Sequence, residues 1–142
     1  MKYAAIDIGS NAVRLLILES KIISNDDFYF NKIGFTRVPI RLGSDVFMEK
    51  TISLKNLSKL TKALNAFKLI MEINEVDFFR ACATSAMREA KNSLEIKKHL
   101  QLKTGVNVEI ISGKEEADII FSNFHLTKLN PKDNYIYIDV GG

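Results

Sequence analysis

The hydrophobic pattern at the start of the chain predicts a β-hairpin. The first apolar run, residues 4–8, is interrupted by Asp7, and the second, residues 12–18, is interrupted by Arg14. The two runs are separated by the turn-forming residues Gly9, Ser10 and Asn11. Apolar runs of this length around such a turn are typical of paired antiparallel strands. The rest of the predicted fold is organised around this hairpin.

Helical periodicity appears after residue 52. Between Ser53 and Asn74, apolar residues recur at steps of three and four and therefore share one face of a helix. These residues are Leu57, Leu60, Leu64, Phe67 and Met71. A second helix is predicted from Asn92, whose side chain would cap it, to Lys103, with Gly105 ending it. A third helix opens at Ser112 and ends before Pro131.

The remaining apolar runs predict strands. The third strand covers residues 28–38 with an interruption near Gly34, and residues 40–45 are predicted to form an irregular connection. Later strands are predicted at residues 76–83, 106–111 and 135–140. Three early strands followed by alternating helices and strands indicate an α/β fold. Its mixed sheet has an antiparallel β1-β2-β3 part beside parallel strands, with flanking helices.

Composition narrows the class of protein. The 142 residues suffice for one domain, and 46% hydrophobic and 26% charged residues indicate a globular chain. No apolar run is long enough to span a bilayer, so no membrane partner is expected. The net charge of +3 gives no indication of nucleic-acid binding. Cys82, expected to be a small buried thiol, is the single cysteine, and no signal region precedes the first strand. A cytoplasmic location is therefore expected.

Two predicted strands end in an aspartate followed by glycine. Asp7 precedes the hairpin turn, and Asp139 precedes the last residues of the chain. A carboxylate at the end of a buried strand is costly unless it is paired or binds a metal, and its oxygens suit Mg²⁺. Amides and small donors in the following loops suit phosphate. The loop residues are Gly9, Ser10, Asn11, Gly141 and Gly142. The alternative for the first site is a plain hairpin turn with an exposed aspartate.

Two adjacent glutamates begin the last predicted helix. Glu115 lies three residues after Ser112, a capping-box spacing that explains its presence. Glu116 has no such explanation. Its negative charge in the first turn can be stabilised by the helix dipole. Alternatively, its carboxylate can act as a general base that takes a proton from a phosphate-bound water.

Arg88 follows the strand at residues 76–83. Its guanidinium can clamp phosphate oxygens in a bidentate manner. The alternative is a surface arginine paired with Glu89 or Glu95.

Taken together, these residues resemble the N-terminal lobe of the exopolyphosphatase/guanosine pentaphosphatase family, a branch of the actin-like and sugar-kinase ATPase superfamily. The resemblance extends over essentially the whole chain. It rests on four motifs in a fixed order: Asp7-Ile-Gly-Ser-Asn11, Ala83-Thr-Ser-Ala-Met-Arg88, Ile111-Ser-Gly-Lys-Glu-Glu-Ala117 and Asp139-Val-Gly-Gly142.

The resemblance implies a ribonuclease H-like, actin-like ATPase lobe. It also implies hydrolysis of phosphoanhydride bonds in inorganic polyphosphate or guanosine pentaphosphate. By matched position, Glu116 would be the catalytic base, Arg88 would bind phosphate, and Asp7 and Asp139 would serve a divalent cation such as Mg²⁺. The phosphate site would be lined by Gly9, Ser10, Asn11, Gly141 and Gly142. The resemblance further suggests a homodimer for the intact protein.

The chain departs from the family pattern at two points. In the family, the last motif continues into a third glycine, a serine and a glutamate, and then into a second lobe that closes the cleft. Residues 1–142 are therefore expected to be a single-lobe fragment that is nearly inactive alone, because catalysis needs a closed cleft. The second departure is Asp118, where family members often carry arginine.

Three other functions share these features. The first is a non-catalytic sensor that binds guanosine tetra- or pentaphosphate through the same loops. The second is an actin-like kinase or ATPase lobe, which would require an acceptor. The third is a two-metal nuclease using Asp7, Glu116 and Asp139 as ligands.

Overall fold

The computed structural model describes residues 1–24 and 27–122. Its sheet has the strand order β3-β2-β1-β4-β5. The strands are β1 (Lys2–Ile8), β2 (Ala12–Ser24), β3 (Asp27–Pro39), β4 (Phe78–Ala83) and β5 (Val108–Ile110). The three early strands pair antiparallel, and β4 and β5 continue the sheet in parallel beside β1. The predicted mixed α/β sheet is confirmed, while the strand predicted at residues 135–140 lies outside the described residues.

Helices flank the described sheet. They are α1 (Leu42–Glu49), α2 (Leu54–Ile73), α3 (Ser85–Glu89), α4 (Ser93–Thr104) and α5 (Gly113–Ser122). The helical face predicted for α2 is confirmed, because Leu60, Leu64 and Phe67 are fully buried. Within the described ranges, no helix combines the length and apolar character needed to span a membrane.

The two faces of the sheet differ in character. Alternate strand residues such as Ile6, Ile8 and Leu15 are buried in one core with residues of α2 and α4. The opposite face, called here the open face, is formed by the residues between them. Its polar row runs Arg37, Arg14, Asp7, Cys82 and Glu109, in register across the five strands. Alternation within each strand therefore separates the core from a charged surface.

The first correction concerns residues 40–45, of which only Ile40 and Arg41 lie outside regular structure. Helix α1 begins at Leu42, directly after Arg41, which adopts a left-handed conformation with φ of 64°. The carbonyl of Asn11 accepts hydrogen bonds from the N–H groups of Ile40 and Arg41 and so fixes this entry. Leu42 and Val46 anchor the helix in the core. Leu42 and Val46 are the buried residues of this helix, and a single pair of apolar residues four positions apart gives only a weak helical periodicity in the sequence.

The second correction concerns Asn92, which was expected to cap α4 with its side chain. The helix begins there, but the side chain bonds elsewhere. Its Oδ1 accepts the N–H of Ile52 at 3.0 Å, and its Nδ2 donates to the carbonyl of Ile52 at 2.9 Å. The backbone of Ile52, which is distant in sequence, thus binds the side chain that was expected to cap the helix. The end of α4 is confirmed, because Gly105 adopts the left-handed conformation with φ of 74°.

The third correction concerns Cys82, which was expected to be buried. Its side chain lies on the open face and is partly exposed. The burial that remains raises the pKa of its thiol above the ordinary value.

Candidate active site

A cleft lies beyond the carboxyl ends of the parallel strands β1, β4 and β5, which is the usual ligand position in such sheets. Its volume is about 1320 Å³. Residues from four segments line it: 10–11, 41–48, 85–89 and 113–121. Three of these segments follow the three strands directly, and the fourth is α1. The sheet therefore brings residues more than 100 positions apart in sequence into one site.

Four of the predicted site residues line this cleft: Ser10, Asn11, Arg88 and Glu116. In the described part of the chain, Asp7 and Gly9 are not among the lining residues. Asp139, Gly141 and Gly142 lie outside the described residues.

The hairpin loop forms one side of the cleft together with the start of α1. We call residues 10–11 and 41–44 the amide wall. The carbonyl of Ser10 accepts the N–H of Gly43 at 2.8 Å. A Cβ at Gly43 would lie only 3.0 Å from the Cβ of Ser10, so this close approach favours glycine. The hydroxyls of Ser10 and Ser85 are 2.7 Å apart and join the loop to α3. Short neutral groups thus fix the loop after β1.

Another side of the cleft, called here the charged wall, consists of α3 and the first turn of α5. Arg88 Nη1 donates to the carbonyl of Ile111 at 3.0 Å and to Glu116 Oε2 at 3.3 Å. The side chains of Arg88 and Glu116 are 33% and 31% exposed, so both reach solvent in the cleft. The expectation that Arg88 otherwise pairs with Glu89 or Glu95 is not supported, since its ion pair is with Glu116.

The two adjacent glutamates have different partners. The N–H of Glu115 donates to Ser112 Oγ at 3.1 Å, so half of the predicted capping box is confirmed. The carboxylate of Glu115 instead accepts a hydrogen bond from Arg80 Nη2 at 2.8 Å. Glu116 is therefore the one of the pair that lines the cleft.

Asp7 has a partner that the sequence reading did not foresee. Arg14 Nη1 donates to Asp7 Oδ2 at 2.6 Å, and both side chains are 44% exposed. Among residues 1–24 and 27–122, no group of three His, Cys, Asp or Glu side chains is placed to hold a metal ion. The described residues thus supply one of the two predicted carboxylates, and that one is already ion-paired. They do not by themselves make a complete metal site.

The charged residues that line the described cleft are mostly acidic. The carboxylates are Glu89, Glu116 and Asp118, and the cations are Arg41 and Arg88. Since Arg88 is already paired with Glu116, a highly anionic ligand would gain little net attraction from these side chains alone. Its negative charge would need neutral donors or an accompanying cation.

Arg41, Gly43 and Ser85 are among the cleft residues that sequence reasoning did not assign to the site. Gly43 and Arg41 lie in the segment expected to be irregular, and Ser85 belongs to the motif from Ala83 to Arg88 but was given no role of its own. The one available signal was the run Arg41-Leu-Gly-Ser44, in which a glycine and a serine precede an acidic residue. Such a run is compatible with a helix entry but does not place that helix start against the hairpin turn.

Comparison with known proteins gives consistent matches. A model of the Ppx/GppA phosphatase family matches residues 21–142. A bifunctional 3-dehydroquinate synthase/phosphatase of Fusobacterium nucleatum is 32% identical over 144 residues, covering 98% of this chain and 21% of that protein. Exopolyphosphatase 1 of Mycobacterium tuberculosis is 26% identical over 121 residues, covering 85% of this chain and 34% of that protein.

Solved structures show the same likeness. The crystal structure of the Aquifex aeolicus member of the Ppx/GppA family is 28% identical, with a TM-score of 0.73, and the match covers 82% of this chain and 36% of that chain. An exopolyphosphatase from Cytophaga hutchinsonii is 24% identical with a TM-score of 0.78, covering 90% of this chain and 39% of that chain, and supports the fold. The chain spans 21% and 34% of the length of the two curated relatives above.

Proposed function

The chain belongs to the Ppx/GppA phosphatase family, and we propose that it is the N-terminal lobe of a hydrolase that acts on phosphoanhydride bonds. The proposed substrates are inorganic polyphosphate and guanosine pentaphosphate, which both present a terminal phosphoanhydride. The observation that carries the proposal is the position of Glu116. It lies in the first turn of α5, lines the cleft at the carboxyl ends of the parallel strands, and is held by Arg88.

In the proposed mechanism, Glu116 acts as the general base. It accepts a proton from a water molecule as the water oxygen bonds to the terminal phosphorus. The bond from that phosphorus to the bridging oxygen breaks, and the leaving phosphate keeps the electron pair. A positioned base of this kind accelerates a reaction about 10²- to 10⁴-fold.

Arg88 has two proposed tasks in this mechanism. Its hydrogen bond to Glu116 orients the carboxylate, and its bond to the carbonyl of Ile111 fixes the guanidinium. The guanidinium has five N–H donors, so a phosphate oxygen can be bound while these contacts persist. Arg88 is therefore proposed to contact both the Glu116 carboxylate and the phosphate group that the water attacks.

The amide wall is the proposed binding surface for the substrate phosphates. Ser10 and Asn11 line it, and Gly9 supports the turn by donating its N–H to the carbonyl of Ala12 at 3.1 Å. We propose that Gly141 and Gly142 contribute a second loop.

A divalent cation such as Mg²⁺ is proposed to accompany the substrate, with Asp7 and Asp139 as its ligands. The acidic balance of the described cleft supports this, because a polyphosphate would otherwise meet more carboxylates than free cations. Carboxylate oxygens are suitable ligands for the ion, which would supply charge neutralisation of the phosphates.

The remaining properties of the whole protein are also proposals. A second lobe would close the cleft and exclude water, so residues 1–142 alone would be nearly inactive. A cytoplasmic location is supported by the single cysteine, Cys82. Family membership supports a homodimer.

The test is phosphate release by the full-length protein with Mg²⁺, on long-chain polyphosphate and on guanosine pentaphosphate, beside its Glu116→Gln variant. We expect release from at least one substrate and a fall in kcat of about 10²-fold or more in the variant, because glutamine cannot accept the proton. Glu95→Gln, which changes an exposed glutamate of α4, is the matched control and should retain activity.

Other outcomes would replace the proposal. If a folded protein binds guanosine nucleotides but releases no phosphate, it is a sensor. ATP consumption that depends on an added acceptor would indicate a kinase, and metal-dependent nicking of nucleic acid would indicate a nuclease. Activity that survives in Glu116→Gln would remove Glu116 from its proposed role.

A further inference from the structure

An arginine outside the cleft joins three elements at the edge of the open face. Arg80 lies on β4, and its Nε and Nη2 donate to Glu109 Oε2 of β5 at 3.0 and 2.7 Å. The same Nη2 donates to Glu115 Oε1 of α5 at 2.8 Å. The guanidinium thus connects two neighbouring strands to the first turn of the helix that carries Glu116. We call these three residues the Arg80 bridge.

The Arg80 bridge is formed by charges that persist near neutral pH. Its hydrogen bonds with Glu109, and then with Glu115, raise the pKa of the Arg80 guanidinium. The bond from Arg80 also lowers the pKa of the Glu109 carboxyl below its ordinary value. The Arg80–Glu109 pair of the bridge therefore remains charged on both sides near neutral pH.

Stability alone is a poor explanation of the bridge. The side chains of Arg80, Glu109 and Glu115 are 48%, 44% and 45% exposed. Ion pairs this exposed contribute little to folding, because water screens them and ordering two long side chains costs entropy. The Arg80 bridge differs from other surface ion pairs because it includes Glu115, the residue next to Glu116.

The first turn of α5 is held from two directions. Arg80 holds Glu115 from the open face, and Arg88 holds Glu116 from the cleft. Successive residues of a helix are separated by about 100° around its axis. Rotation of the turn would move both carboxylates together, so fixing Glu115 also fixes the direction in which Glu116 projects.

We propose that Arg80 is a positioning residue for Glu116. By holding Glu115 against β4 and β5, it sets the rotation of the first turn of α5 and thereby the place of the Glu116 carboxylate in the cleft. This inference rests on the proposed role of Glu116 as the base. Displacement of a catalytic group by about 1 Å can reduce a rate by as much as about 10²-fold, so a bridge outside the cleft can affect turnover.

The test compares kcat and KM of the full-length protein with those of Arg80→Met, which keeps a long apolar side chain but removes the guanidinium. We expect kcat to fall about tenfold with KM changed less than twofold, because the attacking water loses alignment while the amide wall is intact. Arg80→Lys should recover part of the loss. Lys2→Met, which removes the exposed Lys2–Glu75 ion pair, is the matched control and should leave kcat unchanged.

A double-mutant cycle separates positioning from a general structural effect. Glu115→Gln removes the charge that Arg80 holds and leaves the Arg80–Glu109 contact. It should lower kcat alone by a few-fold, and combined with Arg80→Met it should cause no further loss. Glu115→Gln also tests the proposal if Arg80→Met fails to fold.

Three results would overturn the inference: kcat of Arg80→Met within twofold of the unmodified protein, an equal loss in Lys2→Met, or independent losses in the double variant. Failure of the proposed function has a different signature, which is Glu116→Gln retaining full activity. If Glu116→Gln is inactive and Arg80→Met is normal, only the inference on Arg80 is wrong.

Discussion

The two walls of the cleft are built by different kinds of interaction. The amide wall is held by hydrogen bonds between backbone groups and hydroxyls, such as the contact of Ser10 with Gly43. The charged wall is held by ion pairs, and Arg88 and Glu116 are its central pair. The amide wall presents short hydroxyl, amide and backbone groups beside one cation, Arg41, and carries no carboxylate that lines the cleft, which suits the binding of phosphate oxygens. A wall with a carboxylate and a guanidinium suits proton transfer, because the two groups can orient each other.

Phosphate binding and proton transfer are thus expected to depend on different walls of the cleft. Changes in the amide wall should act mainly on KM or on stability. Changes in the charged wall should act mainly on kcat, since they move the Glu116 carboxylate that accepts the proton or remove its charge. The following three predictions test this separation in order of decreasing effect.

The largest effect is expected for Arg88→Met in the charged wall. The change removes the donor to the carbonyl of Ile111 and the partner of Glu116, and kcat should fall about 10²-fold, as is typical for the loss of one electrostatic donor at a reacting centre. Arg88→Lys should be intermediate, because an ammonium keeps the charge without the planar fork. Steady-state phosphate release measures both. A kcat of Arg88→Met within threefold of the unmodified protein would contradict the assignment.

The second effect concerns stability on the side of the amide wall. Asp45 Oδ2 in α1 accepts hydrogen bonds from the N–H of Ser53 and from Asn56 Nδ2, both at 2.9 Å. Asp45→Ala leaves the buried Asn56 amide without this partner and should cost about 1–3 kcal/mol of unfolding free energy at pH 7. Urea unfolding measures the loss.

The contribution of Asp45 should depend on pH with a defined sign. Burial raises the pKa of its carboxyl, but the hydrogen bonds from Ser53 and Asn56 and the charge of Lys59 outweigh burial, so the pKa lies below the ordinary 3.8. A carboxyl whose folded pKa is lowered stabilises above the unfolded pKa and loses this effect as pH falls through the folded one. The difference between Asp45→Ala and the unmodified protein should therefore shrink below pH 3.8. The control Glu72→Ala, at an exposed residue of α2, should show no such change. A difference that is constant with pH would refute the ionic role.

The smallest effect is expected for Gly43→Ala in the amide wall. The added Cβ would lie 3.0 Å from the Cβ of Ser10, so the hairpin loop must yield by a few tenths of an ångström. KM should rise about three- to fivefold with kcat nearly unchanged, since binding loops tolerate small shifts at a modest cost in affinity. Gly34→Ala is the matched control, because its Cβ would meet Ile17 at an ordinary 3.6 Å. A fall in kcat without a change in KM would break the separation between the walls.

Much of the fold was predictable from the sequence. The apolar runs on either side of Gly9–Asn11 and the helical face that includes Leu60 and Phe67 both indicate burial directly, and both predictions are confirmed. The interruption near Gly34 is also found, as a change of register opposite Ile17 and Leu18. These features depend on neighbours in sequence, which is the information that periodicity carries.

For the cleft, the sequence indicated individual lining residues but not how they pair. Arg88 and Glu116 were identified as separate residues, whereas their contact depends on the parallel arrangement of β4 and β5. The partners Arg14 of Asp7 and Arg80 of Glu115 were missed, because each choice is decided by sheet register. Asn92 shows the same limit, since a distant backbone outcompeted the local helix end for its side chain.

The register of β1 also determines when the cleft can exist during folding. β1 meets β2 across a short turn, but its pairing with β4 joins Lys2 to Asp77, 75 residues away. Closing a long loop costs more entropy than closing a short one, and non-local strand pairing is correspondingly slow. The hairpin of β1 and β2 can therefore form early. The carboxyl ends of β1, β4 and β5, which border the cleft, come together only after the long loop has closed. The smallest unit that contains the described cleft is thus the described sheet with its helices, from β1 through α5.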